Sequence, residues 1–120
     1  MNQEYKEKWV AALRSDEYKQ GTGRLRNEII GGYQYCCLGV LCDIVAEAEP
    51  DKYVWDHRTM RTPGGSYGSV AVPTHMEIEL FLSGADPIVR YNDRSEPLSV
   101  LNDIHRLNFN QIADIIEAQL

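Results

Sequence analysis

Nowhere in the 120 residues does an apolar run approach the roughly 18 to 20 residues that a membrane-crossing helix needs. The opening Met1-Asn2-Gln3-Glu4-Tyr5-Lys6 lacks the apolar centre of a secretory signal. A cytoplasmic protein with no membrane partner is therefore expected. Internal repeats, low-complexity tracts and linkers are absent too, and the length suits one core. One compact domain over residues 1–120 follows.

Cysteine is scarce and badly placed for bridging. Cys36, Cys37 and Cys42 fall within seven residues, an odd number in which adjacent thiols close only a strained ring. They read as reduced, small apolar packers. A zinc site needs a second ligand pair, and His57, His75 and His105 are too scattered to supply one. The same scatter denies Cys36 or Cys37 the neighbouring base of a thiol nucleophile. No metal or cofactor is expected.

A broad basic face is missing as well. The formal charge is −6, with residues 31–120 carrying net −7 and residues 1–30 net +1. Duplex nucleic acid is disfavoured as a partner, because its phosphates need many cations. The acidic part interleaves its bases with its acids, which argues against a surface that imitates DNA.

What remains is an α+β pattern. Residues 3–15 place Tyr5, Trp9, Ala12 and Leu13 at helical spacing behind the cap Asn2. Residues 24–30 read as a strand, Gly31-Gly32 as a hairpin turn, and Tyr33-Gln34-Tyr35 as the return strand. Residues 37–48 read as a buried helix stopped by Pro50, with Cys37, Leu41, Ile44, Val45 and Ala48 on its apolar face. Gly39 sits in its first turn, where glycine costs about 1 kcal/mol against alanine, so a neighbouring element should approach there. Tyr53-Val54-Trp55 and Ser69-Val70-Ala71-Val72 read as a hairpin with a long tip around Pro63-Gly64-Gly65. A short helix follows Pro73, Pro87 to Tyr91 alternates like a strand, and Leu98 to Asp103 makes a helical turn. Asn108 with Gln111 forms a capping box ahead of a final helix bearing Phe109, Ile112, Ala113, Ile116 and Leu120. The expected architecture is a small antiparallel sheet packed against about four helices.

Catalytic signatures are thin. The Gln20-Gly21-Thr22-Gly23 loop lacks the Gly-Lys-Ser/Thr ending of a nucleotide-hydrolase loop and precedes a strand instead of a helix. Asp103 with His105 and Asp56 with His57 are ordinary loop neighbours. Cations next to that loop are more informative. Lys19, Arg24 and Arg26 have no acid between them, and on a strand Arg24 and Arg26 share a face. Two guanidinium forks on one face suit a phosphate-bearing ligand.

Three segments together resemble a widespread group of small proteins encoded by tailed phages and prophages. They are Trp9-x-x-Ala12-Leu13-Arg14-Ser15 with Tyr18-x-Gln20-Gly21-x-Gly23-x-Leu25-Arg26; Tyr35-Cys36-Cys37-Leu38-Gly39-Val40-Leu41-Cys42-Asp43; and Leu101-Asn102-Asp103 with Phe109-x-x-Ile112-Ala113-Asp114-x-Ile116-Glu117. The resemblance implies an accessory protein expressed in the bacterial cytosol. Some phage proteins of this size are sponges that sequester nucleotide signals of host defence systems of the Thoeris or CBASS kind.

The resulting expectation is a non-catalytic, homo-oligomeric sponge for a small anionic nucleotide, of cyclic nucleotide or cyclic ADP-ribose type. Its pocket is expected between the first loop and hairpin and the Asn102-Asp103 turn. Arg14, Lys19, Arg24 and Arg26 would neutralise phosphates, and Gln20 and Asn102 would read polar edges. Asp103 would accept ribose hydroxyls, and Tyr18 or Tyr35 would stack. The alternatives are an interaction protein that blocks a host protein through its acidic, Tyr-bearing surface, and a nucleotide-cleaving enzyme.

Overall fold

In the computed structural model, which describes residues 1–120, the side chain of Asn2 accepts the Tyr5 N–H at 3.0 Å and starts helix α1, Gln3–Arg14. Its inner stripe is Trp9, Val10 and Leu13. Strands β1 (Arg26–Ile29) and β2 (Gly32–Tyr35) form an antiparallel hairpin with Arg26 opposite Tyr35 and Glu28 opposite Tyr33. The turn is Ile30-Gly31, one residue earlier than expected, because Gly31 alone supplies the positive φ (87°) that the second turn position needs. The strand also starts at Arg26, so Arg24 lies outside it and the two arginines do not share a strand face.

Helix α2, Cys37–Ala48, is buried on all sides through Cys42 and emerges toward its C-terminus, where Ala48 is exposed instead of facing the core. Beyond it, β3 (Val54–Asp56), β4 (Thr59–Arg61) and β5 (Tyr67–Gly68) make a three-stranded antiparallel sheet. The expected long hairpin is corrected here. A tight His57-Arg58 turn pairs Trp55 with Met60, and residues 69–72 are not a strand. Met60, fully buried, draws β4 onto the core. A 3-10 turn at Pro63–Gly65 links β4 to β5.

Helix α3 (Thr74–Glu79) follows Pro73 as expected. A hairpin of β6 (Ile88–Tyr91) and β7 (Arg94–Pro97) comes next, and β7 was not anticipated. Its turn residues Asn92 and Asp93 both take positive φ, the requirement of a type I′ turn. Helices α4 (Leu98–Asp103) and α5 (Phe109–Gln119) complete the chain, with the capping box at Asn108 present. The protein is α+β, with five helices and its strands divided among three small antiparallel sheets. A single core of 24 buried residues draws on all five helices. No helix is long and apolar enough to cross a membrane.

The closest approach in that core is at Gly39. A Cβ there would lie 1.7 Å from the Leu25 carbonyl oxygen, which also accepts the Cys36 N–H. The backbone leading into β1 therefore rests directly on the first turn of α2. On an unobstructed helix Gly→Ala gains up to about 1 kcal/mol. Here Gly39→Ala should lose about 3 kcal/mol, since overpacking must push β1 off the helix. Denaturant and thermal melts should record a Tm lowered by on the order of 10 °C.

Candidate functional site

Two polar constructions lie where the hairpins meet the helices, and they differ in kind. The first centres on Asn102, only 1% exposed. Its Oδ1 accepts the Gln20 Nε2–H at 2.9 Å and the Cys37 backbone N–H at 3.3 Å. Its Nδ2 donates to the Gly21 carbonyl at 2.9 Å and to Asp103 Oδ1 at 2.8 Å. Both donors and both lone-pair directions are thus used. Gln20 also donates to the Leu107 carbonyl, which extends the knot to the α4–α5 connection.

The second construction is the junction of the β1–β2 and β3–β4 hairpins. Arg26, 8% exposed, lays its guanidinium between two rings, 3.9 Å from the Tyr33 centroid and 4.4 Å from that of Trp55. Its Nε–H donates to the His57 carbonyl at 2.9 Å. It forms no ion pair, although buried charges ordinarily have one. The π faces and one carbonyl substitute for a carboxylate. Tyr35 packs edge-on against Tyr18 and Trp55, continuing the aromatic row.

Carboxylates near this junction are occupied. Asp43 accepts the Tyr18 hydroxyl at 2.7 Å and the Trp55 indole N–H at 2.9 Å. Burial and that hydrogen bond push the Tyr18 phenol up, and burial with the charge of Asp43 raises Tyr35. Glu28 contacts His57 Nδ1 at 2.8 Å, and Asp56 pairs with Arg61 at 2.7 Å. Lys19, Arg24 and Arg58 are exposed and in no ion pair. The Lys19 carbonyl accepts the Tyr35 N–H, Arg24 lies two residues before Arg26, and Arg58 follows His57. A cleft of about 360 Å³ lined by Asn27, Glu28, His57 and Arg58 opens beside the junction.

The nine residues singled out from sequence are therefore not gathered around one pocket. Arg14 bridges α1 to α5 through Asp114 (2.6 Å) and Glu117 (3.2 Å). Gln20, Asn102 and Asp103 meet, but they bond to each other, and no cleft is lined by Asn102 or Asp103. Tyr18 and Tyr35 do lie together, half-buried, and Arg26 lies in the same row. Lys19 and Arg24 are exposed and form no ion pair. Tyr33, Trp55, Asp43 and Arg58, which the structure places at this junction, were not singled out from the sequence. The available signals were the lone acid in the apolar run of α2 and the strand alternation that puts Tyr33 on the face of Arg26.

The thiols are packing groups. Cys36 caps α2, its sulfur accepting the Gly39 N–H at 3.4 Å, and burial raises it to about 11. Cys37 and Cys42 are fully buried and pushed well up. No three His, Cys, Asp or Glu side chains are arranged to hold a metal ion.

Asn102→Asp keeps the shape but turns an oxygen toward the Gly21 carbonyl and the Asp103 carboxylate. A loss of about 3 kcal/mol is expected in urea unfolding at neutral pH. The raised Cys36 value has its own consequence. Its folded thiol holds the proton more tightly than the unfolded one, so this contribution is complete below the ordinary thiol value of 9.0 and is lost as pH rises toward about 11. Unfolding free energy should decline across that window, and the native thiols should resist alkylation at pH 8 until denaturant is added.

No curated protein and no solved structure matches the chain. The family model described as "Domain of unknown function (DUF8296)" matches residues 1–120, the whole sequence. The chain belongs to the DUF8296 family.

Proposed function

We propose that this protein is a non-catalytic binder of a small, anionic, nucleotide-derived ligand, held at the junction of the two hairpins. One observation carries the reading. Arg26 is buried without a carboxylate, Arg58 lines the cleft beside it, Lys19 and Arg24 are exposed in no ion pair on neighbouring segments, and Asp43, Glu28 and Asp56 are already occupied. Around the junction the four cations Lys19, Arg24, Arg26 and Arg58 outnumber the two carboxylates, Asp43 and Glu28, that no Lys or Arg pairs. Phosphate oxygens supply the partner that is lacking. The ring of Tyr33, covered on one side by Arg26 and 43% exposed, offers a stacking face for a base.

The site differs from the pocket expected on sequence. Arg14, Gln20, Asn102 and Asp103 serve as scaffold, while Arg24, Lys19, Arg58 and Tyr33 meet the ligand. Together with the phage-like sequence pattern, this suits an anti-defence sponge for a cyclic nucleotide or cyclic ADP-ribose type of signal. A protein-blocking role is the second reading, favoured by Ile30, fully exposed at the tip of the β1–β2 hairpin beside Tyr33.

The purified protein is incubated with cyclic dinucleotides and cyclic ADP-ribose, freed of unbound nucleotide, heated, and the supernatant analysed. Intact nucleotide is expected. Arg24→Ala and Arg58→Ala should each weaken retention about tenfold, about 1.4 kcal/mol, more at low salt, and Arg14→Ala should leave it unchanged. Chemically altered nucleotide would replace the sponge with an enzyme. No retention at low salt would overturn the ligand reading and leave the protein partner.

A further inference from the structure

A cavity of about 260 Å³ lies between the end of α1, the segment that follows it and the start of α5. It shares no lining residue with the cleft at the hairpin junction. Its apolar wall is the buried pair Leu13 and Phe109, with Tyr18 beside them. The polar wall presents groups that nothing else in the protein uses. Gln20 directs both N–H donors into the fold, to Asn102 and to the Leu107 carbonyl, each at 2.9 Å, and its Oε1 is left without a partner. No buried side-chain oxygen or nitrogen is unpaired, so this oxygen is accessible. The capping box holds Asn108 by its Oδ1 and its backbone N–H and leaves its Nδ2 donors unused. The Asn110 carboxamide is exposed without an internal partner, and the Asp16 carboxylate is exposed and in no ion pair.

We propose that this cavity binds one neutral pyranose ring. Charge excludes the alternatives. Asp16 is the only charged residue in the lining, and it repels a phosphate or a carboxylate. An ammonium ligand donates and cannot accept, so it would leave the amide donors of Asn108 and Asn110 unused. Hydroxyls do both. Gln20 Oε1 and Asp16 accept from them, Asn108 Nδ2 donates to them, and Asn110 does either. The C–H faces of a sugar ring suit the wall of Leu13 and Phe109. Size agrees, since the volume lies just below the roughly 300 Å³ at which sites for drug-sized ligands begin, which leaves room for a single ring.

The lining is set before a ligand arrives. Gln20 cannot turn without breaking two bonds of the Asn102 knot, and Asn108 cannot turn without opening the cap of α5. Tyr18 is fixed by its hydroxyl on Asp43 at 2.7 Å. Side chains already held in place add little ordering cost to binding. The knot thus has a second effect: its satisfied donors aim one unsatisfied acceptor into the cavity. A hydroxyl reaches that acceptor without breaking any bond of the knot. The proposal is independent of the nucleotide reading, since Asp16 turns anions away and the two sites have separate linings.

Side-chain NMR on the full chain tests this with the methyl pyranosides of glucose, galactose and mannose. At least one should give saturable shifts of the Gln20, Asn108 and Asn110 carboxamides, with the millimolar Kd that so small a ligand allows. The matching uronate, which carries a carboxylate on the same ring, should bind about fivefold more weakly at low salt. Asp16→Asn should remove that difference, and asparagine tolerates the left-handed backbone of this position (φ 62°). Asn110→Ala, an exposed change, should weaken the neutral sugar about fivefold through the loss of one hydrogen bond. No saturable shift with any of the three sugars at tens of millimolar overturns the proposal. So does a uronate that binds as tightly as its neutral sugar, or a folded Asn110→Ala protein with unchanged affinity.

Discussion

A single buried carboxamide, that of Asn102, sets the relative placement of the segments that make this fold. It contacts the Gln20-Gly21 loop, the first residue of α2 and the neighbouring Asp103, and through Gln20 it reaches Leu107. Burying an amide is unfavourable unless every group is matched, and here every group is. The match demands that the loop, α2 and α4 sit in one arrangement. Once they do, Gly39 can meet the Leu25 carbonyl, and Trp9 can donate its indole N–H to the Cys37 carbonyl at 2.9 Å. The hairpin, α1 and α2 are thereby joined around one point.

The contrast between that knot and the hairpin junction governs the functional reading. The knot is neutral at its centre and internally complete, so a ligand entering it would have to break bonds it cannot better. The junction is charged and incomplete. Its guanidinium is held by rings, which stabilise the cation without neutralising it, and its carboxylates are directed to other donors. Excess positive charge at an accessible margin is available to a ligand; satisfied hydrogen bonds in the interior are not.

Much of the scaffold was legible in the sequence. Helix α2 began and ended at Cys37 and Ala48, the capping box at Asn108 formed, and Gly39 proved to be a close approach. These features rest on local chemistry: a cap, a periodic stripe, a missing Cβ. The β3–β4 hairpin was not legible because its turn, His57-Arg58, carries neither glycine nor proline, and His57 adopts a positive φ (54°) without the usual residue type. Asn92-Asp93 did carry the signal for β7. The site was harder to read, since Arg26 and Asn102 are recognisable residues whose partners, Trp55 and Gly21, are distant in sequence. Only the folded register separates an arginine stacked between rings from one presented to a ligand.

The central claim is that anion recognition belongs to the junction and not to the Asn102 knot. Side-chain NMR at low salt tests it most directly, following the Arg26 Nε–H, the Trp55 indole N–H and the carboxamides of Gln20 and Asn102 as a cyclic dinucleotide or cyclic ADP-ribose is added. The account predicts saturable shifts of the Arg26 and Trp55 signals with the two carboxamides unmoved. Shifts confined to Gln20 and Asn102, or no saturable shift for any of these nucleotides, would contradict it.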